Sequence, residues 1–157
     1  AALTNLQEEM KTQNVEGNYT HRENLHLTLA FIGEYGNPDD VLDAMELSDF
    51  RSFDIALDGV GCYHGDLLWA GIADNEELAS YVKRLRRELS NQGIPFDRKR
   101  FIPHITLIRK AFYRSGQGLP DINSPVGKMR VSRISLMKSE RGKRGMIYTE
   151  IGGVGEE

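Results

Sequence analysis

Hydrophobic positions along this chain alternate between two spacings, one of three to four residues that suits a helix and one of two that suits a strand. Leu3, Leu6 and Met10 keep the helical spacing and predict a helix running through residue 13. A polar approach loop is expected at 18–23. Residues 24–33 (Asn-Leu-His-Leu-Thr-Leu-Ala-Phe-Ile-Gly) then read as a β-rich run closed by glycine. Past the Gly36-Asn37-Pro38 break, a short helix is expected over 39–47, with Pro38 suited to its first position. Strands are expected at 53–57 and 67–72, joined by a turn region at 59–66. The longest helix should span 76–91: Leu78, Val82, Leu85 and Leu89 make one apolar stripe, and Gly93 suits the C-terminal cap. Lys83, Arg84, Arg86 and Arg87 spread over the rest of that helix and read as a solvated surface. A second β-rich run, Phe-Ile-Pro-His-Ile-Thr-Leu-Ile-Arg, occupies 101–109. A Gly/Pro/Ser-rich loop at 115–127 precedes strands at 129–139 and 146–151, which a basic turn at 141–145 joins. The tail from 152 to 157 is expected to fray.

Helix and strand sets on either side of residue 75 predict an α+β domain of two similar lobes. At 157 residues with 39% hydrophobic content, the chain fits one soluble domain, 1–157, with a real core. No stretch approaches a membrane span, and no charged and apolar export signal opens the sequence, so a cytoplasmic protein is expected. Cys62 is the only cysteine, which rules out an intrachain disulfide. A net charge of −3 conceals an asymmetry. Residues 1–75 hold three Lys or Arg against 14 acids, and residues 76–157 hold 17 against nine, or −11 beside +8. A basic second half favours an anionic, phosphate-bearing partner, while the acids elsewhere argue against unspecific duplex binding.

One pattern occurs twice: His26-Leu27-Thr28-Leu29 and His104-Ile105-Thr106-Leu107, 78 positions apart. On a strand the His and Thr of each tetrad share one face, and the two apolar residues anchor the other. Two such tetrads can bracket one phosphate, each offering an imidazole and a hydroxyl. Imidazoles titrate near neutrality, at about 6.5, so one can work as acid while the other works as base. In-line displacement at phosphorus puts these roles on opposite sides, which explains the two separate strands. Zinc catalysis would need three or four ligands, and neither tetrad brings a second His or a Cys pair; Cys62-Tyr63-His64 is isolated. No Gly-rich loop ends in Gly-Lys-Ser or Gly-Lys-Thr, which argues against ATP-driven ligation. No metal and no cofactor are therefore expected.

The tetrads resemble the two His-x-Thr signatures of the 2H phosphoesterase superfamily, most closely the bacterial and archaeal RNA 2′,3′-cyclic phosphodiesterases once named 2′-5′ RNA ligases. The family's Leu-His-Leu-Thr-Leu-x-Phe-Ile-Gly falls on Leu25 to Gly33, and its Pro-His-Ile-Thr-Leu-x-Arg on Pro103 to Arg109. A late Ser135-Leu136-Met137-Lys138-Ser139 and Tyr148 extend the likeness over most of the chain. The resemblance implies a two-lobed, pseudo-twofold α+β fold, with antiparallel sheets flanking a central cleft, helices outside, and one motif strand from each lobe. It implies His26 as proton donor, His104 as proton acceptor, Thr28 and Thr106 on the phosphoryl oxygens, and Arg109 neutralising phosphate. Strand parity turns residue 109 away from 104 and 106, so Arg109 must act from the strand's end or past a local twist. Lys143 and Arg144 suit either an RNA backbone or a plain polar turn.

The implied activity is metal-independent opening of RNA or nucleoside 2′,3′-cyclic phosphates to 2′-phosphomonoesters, with reversible 2′-5′ ligation as a companion reaction. RNA ends and nucleotides bearing that cyclic phosphate are the expected partners of a monomer that touches no membrane. The alternatives are a phosphodiesterase for 2′-5′ oligoadenylates or a cyclic ADP-ribose phosphate, and a non-catalytic RNA-binding module. Family members open with an apolar strand before their first helix, and this chain begins in the helix, so that first-lobe strand is expected to be missing.

Overall fold

Antiparallel pairing organises the chain. The computed structural model describes residues 1–113 and 125–156, so most of the 115–127 loop lies outside the described residues. The chain forms two compact units, each assembled from three separate segments. One unit comprises Ala1–Thr28, Ala56–Ala73 and Pro103–Lys128, and the other comprises Leu29–Ile55, Asp74–Ile102 and Met129–Glu157. A division at residue 75 is therefore corrected. The chain alternates between units because sheet neighbours are recruited from distant segments, which local composition does not reveal. The His and Thr of both tetrads fall in the first unit rather than one pair in each.

The first unit begins with helix α1 (Ala2–Thr12), whose Leu6 and Met10 are buried as the helical spacing predicts. Asn14, at φ 65°, turns the chain out of the helix. The strand that follows, β1 (Val15–Tyr19), covers part of the expected loop at 18–23. A sheet with the order β1-β4-β3-β2-β5 is formed by β1, β2 (Phe53–Tyr63), β3 (Leu67–Ile72), β4 (His104–Tyr113) and β5 (Lys128–Val131). Its β1–β4 register slips between Glu16 and Asn18. Gly17 occupies the slip at φ 146°, and a Cβ there would come within 2.9 Å of the Ala111 backbone. Leu6, Met10, Val15, Leu68, Ala70, Leu107, Ile108 and Ala111 form the core on one face of this sheet. Burial of each large side chain there contributes roughly 1.5–3 kcal/mol. Gln7 is buried with them, its Nε2 donating to the carbonyls of Thr20 (2.9 Å) and Leu107 (3.1 Å). That amide ties α1 to the inner strand.

The second unit packs two helices with a hairpin. Pro38 opens α2 (Pro38–Leu47) and the Asn37 side chain accepts from the Asp39 N–H. Helix α3 (Glu76–Asn91) has Asn75 as its N-cap, and Gly93 follows its end at φ 72°. Leu78, Val82, Leu85 and Leu89 are buried as expected, together with Tyr81. Val41, Ala44, Met45, Tyr81, Leu85, Leu89, Ile94 and Ile134 make this unit's core. The predicted strand at 129–139 is broken at Ser132, with β5 before it and β6 (Arg133–Gly142) after it, in different sheets. Strand β6 pairs with β7 (Gly145–Gly155), so residues 152–155 are ladder rather than frayed tail: Gly152 faces Leu136 and Val154 faces Ile134. The architecture is α+β with antiparallel sheets, as expected.

Candidate active site

The first tetrad does not form the regular strand expected at 24–33. A 3-10 turn, Arg22–Asn24, precedes it, and a single antiparallel bridge joins Leu27 to Ile105. The reason lies in β4. Strand β1 already occupies the β4 edge from Tyr113 to Ile108, and the Thr20 N–H donates to the Leu107 carbonyl at 2.9 Å. The chain then detours through 21–25 and returns opposite Ile105. Strand β4 starts at His104, behind a proline with no N–H, so little ladder remains to pair.

That one bridge fixes the arrangement of the tetrads. Its register sets His26 opposite Thr106 and Thr28 opposite His104, with Leu27 and Ile105 between them. Opposed residues project on the same side and adjacent ones alternate, so both histidines and both threonines share one face. Ile105 points the other way and is buried. By this register the two histidine positions lie on one diagonal of a four-residue square and the two threonine positions on the other, diagonal backbone neighbours in such a pairing being about 7–8 Å apart.

The histidines differ in setting. His26 and Thr28 are exposed, and the His26 Nδ1–H donates to the Asn24 carbonyl at 2.6 Å. A carbonyl oxygen only accepts, so Nδ1 carries a proton in this bond. His104 is half-buried between two rings of its own unit. Tyr63 meets it edge to face (5.4 Å between centroids, 87°), and Trp69 lies at 5.8 Å and 56°.

Arg109 poses a parity question, and a bulge answers it. Leu68 pairs with Ile108 and Trp69 with Thr106, which leaves one extra residue, Leu107, on β4. Leu107 and Ile108 are both fully buried, so the alternation skips once. Arg109 then returns to the side of His104 and Thr106, exposed and opposite Asn18. Lys143 and Arg144 are exposed at the β6–β7 turn in the other unit.

Sequence reasoning missed Tyr63 and Trp69. Its available signal was glycine: Gly61 lies opposite Trp69 and Gly71 opposite His104, and glycine inside a strand marks a place where something lies close to the backbone. Among the described residues, no group of three or more His, Cys, Asp or Glu is gathered as a metal cage. None of the described helices is long and apolar enough to cross a membrane. What the face offers is acid–base chemistry at two imidazoles, with hydroxyl donors between them.

RNA 2′,3′-cyclic phosphodiesterase of Methanothermobacter thermautotrophicus is 28% identical, over 95% of this chain and 88% of its own. The enzyme of that name from Thermotoga maritima is also 28% identical, over 90% and 80%. Among solved structures, a protein of Thermus thermophilus superposes with a TM-score of 0.78 at 23% identity, covering 98% of this chain and 89% of its own. Escherichia coli LigT complexed with 3′-AMP gives 0.73 at 23% identity, covering 99% and 92%. These two share the fold. The 2′-5′ RNA ligase superfamily model matches residues 2–143, which contain both tetrads and all three helices α1 to α3, and the chain belongs to that superfamily.

Proposed function

We propose that this protein is an RNA 2′,3′-cyclic phosphodiesterase that opens a terminal cyclic phosphate with its two histidines and yields a 2′-phosphomonoester. The observation that carries the reading is the square around the Leu27–Ile105 bridge, with imidazoles on one diagonal and hydroxyls on the other. A phosphoryl group lying over its centre has an acid and a base on opposite sides, as in-line displacement requires. His104 takes a proton from water as the oxygen attacks phosphorus. The bond from phosphorus to O3′ breaks, and His26 Nε2 delivers its proton to the departing O3′. Thr28 and Thr106 donate to the nonbridging oxygens, and Arg109, on the same face, offsets their charge. The relatives named for this activity support the substrate class. With a 5′-hydroxyl RNA end in place of water, the same two proton transfers and the same cleavage of the bond from phosphorus to O3′ join that end to the cyclic phosphate as a 2′-5′ linkage.

The test combines phosphorus NMR of the product with single-turnover rates. In EDTA, a cyclic mononucleotide and an oligonucleotide ending in the cyclic phosphate should both give the 2′-phosphate. His26→Ala and His104→Ala should each lose about 10²–10⁴-fold in rate. Thr28→Ala and Thr106→Ala should lose less, since one hydroxyl bond to a charged group is worth about 1–3 kcal/mol. A 3′-phosphate product, or equal mild losses at all four positions, would overturn the mechanism.

A further inference from the structure

The face that carries the tetrads also carries an aromatic construction that acid–base chemistry alone does not call for. Strand register puts Trp69 opposite both Gly61 and Thr106, and Gly71 opposite His104, so all five share one side of the sheet. A Cβ on Gly61 would collide with the Trp69 ring at Cζ2, Cη2 and Cε2. At Gly71 a Cβ would meet the Asp58 carbonyl and lie 3.3 Å from Trp69 Cζ3. The indole thus lies flat along a floor that only glycine supplies. Tyr63 packs against it with centroids 5.2 Å apart, and both rings border the His104 imidazole.

Trp69 is an expensive choice for this position. Its Nε1–H is buried and has no hydrogen-bond partner among the described residues. A leucine or phenylalanine would fill space without stranding a donor. What the indole adds is a broad rigid surface beside His104. We propose that Trp69, backed by Tyr63, is a positioning residue for His104: the ring wall selects one imidazole rotamer, so that one nitrogen faces the attacking water. The inference rests on the acid–base reading of His104 given above. Placement of a base within a fraction of an ångström governs its efficiency, and a displacement of about 1 Å can cost 10²-fold.

Two kinds of change displace the wall. Trp69→Leu removes it, and Gly61→Ala pushes the indole off its floor while leaving every ring in the chain. Each should lower kcat on a 2′,3′-cyclic mononucleotide by about 10–100-fold, with KM within about twofold, at a melting temperature that shows the fold is kept. Trp69→Phe should retain most of the rate, and adding it to Gly61→Ala should restore part of what that change lost, because the smaller ring leaves room for the methyl group. If Trp69→Leu does not fold, the Gly61→Ala and Trp69→Phe pair carries the test.

The ring 15N signals of His104, assigned by their loss in His104→Gln, are read without substrate. They should show one ordered imidazole in the parent protein and averaging in Gly61→Ala. Unchanged signals and kcat in the displaced variants, or a loss confined to KM, would overturn the positioning role. A parent protein without cyclic phosphodiesterase activity would overturn the functional reading instead, and the ring signals would still report on the wall.

Discussion

Arg86 shows how much one side chain can alter what its neighbours imply. Its helix carries four bases that read from sequence as a solvated surface, yet Arg86 Nη1 donates to the Lys99 carbonyl at 2.8 Å and Nη2 to the Leu29 carbonyl at 3.3 Å. The guanidinium also faces the rings of Phe96 and Phe101 at 5.6 and 5.7 Å. Leu29 directly follows Thr28, and Phe101 precedes His104 by three positions. One cation thus joins the chain that leaves the first tetrad to the chain that approaches the second. Arg84 is engaged in the same way with the Ser48 and Asp49 carbonyls. Arg86→Met should therefore destabilise the protein by about 1–3 kcal/mol, because two carbonyls lose a charged donor. Arg86→Lys should recover only part of this, since an ammonium cannot reproduce the planar fork. Arg87 is exposed and serves as the control: Arg87→Met should leave the urea midpoint within about 0.5 kcal/mol of the parent.

At the scale of elements, the β6–β7 hairpin carries a pH-dependent clasp. Glu150 accepts from the Ser135 hydroxyl at 2.6 Å and from Arg133 Nε at 3.0 Å, bridging both strands. The Ser135 hydroxyl first and Arg133 second hold its carboxyl below the usual carboxylate range. A depressed folded-state value favours folding above the ordinary carboxylate pKa of about 4.3, and this contribution fades as pH falls towards the folded value. The melting temperature of Glu150→Gln should lie below that of the parent at neutral pH, and the gap should close on acidification. A gap independent of pH would show that the clasp acts through packing alone. Elements with a strong period were legible in the sequence: the α3 stripe and strand β3 lie where the apolar spacing places them, and Gly93 follows the end of α3 as expected. Elements set by pairing were not. Strand β1, Val-Glu-Gly-Asn-Tyr, has no alternation to read and exists because β4 offers it an edge. Ser132 separates two strands whose apolar run looks continuous, since the choice of sheet is made by distant partners. The tetrads were legible as types and spacing. The face they share, and the bulge that turns Arg109 onto it, came from register, which a single sequence does not encode locally.

At the scale of the molecule, folding redistributes charge. The sequence halves differ by −11 against +8, but the two units interleave those halves. The first unit holds six Lys or Arg against seven acids and the second 14 against 16, so neither carries a net positive field. The sequence expectation that a basic half attracts a phosphate-bearing partner is therefore corrected, and any such attraction falls to local clusters. The clearest is the hairpin turn, where Arg141, Lys143 and Arg144 are all exposed. Lys138 nearby is already paired with Glu140 at 2.9 Å. Each single-strand phosphate that such a cation neutralises adds about 0.7 to the slope of log KM against log salt. An oligonucleotide ending in a cyclic phosphate should show a slope steeper than that of a cyclic mononucleotide by about 1.4–2.1, the range expected for two or three contacts. Replacing Arg141, Lys143 and Arg144 together by Gln should bring the oligonucleotide slope down to the mononucleotide value and leave kcat/KM for the mononucleotide unchanged. If the parent protein already gives equal slopes, recognition ends at the terminal nucleotide and the hairpin is a polar turn. If the slopes differ and the triple variant keeps the difference, the contacts come from elsewhere, and the run Arg98-Lys99-Arg100 before the second tetrad is the next cluster dense enough to supply them.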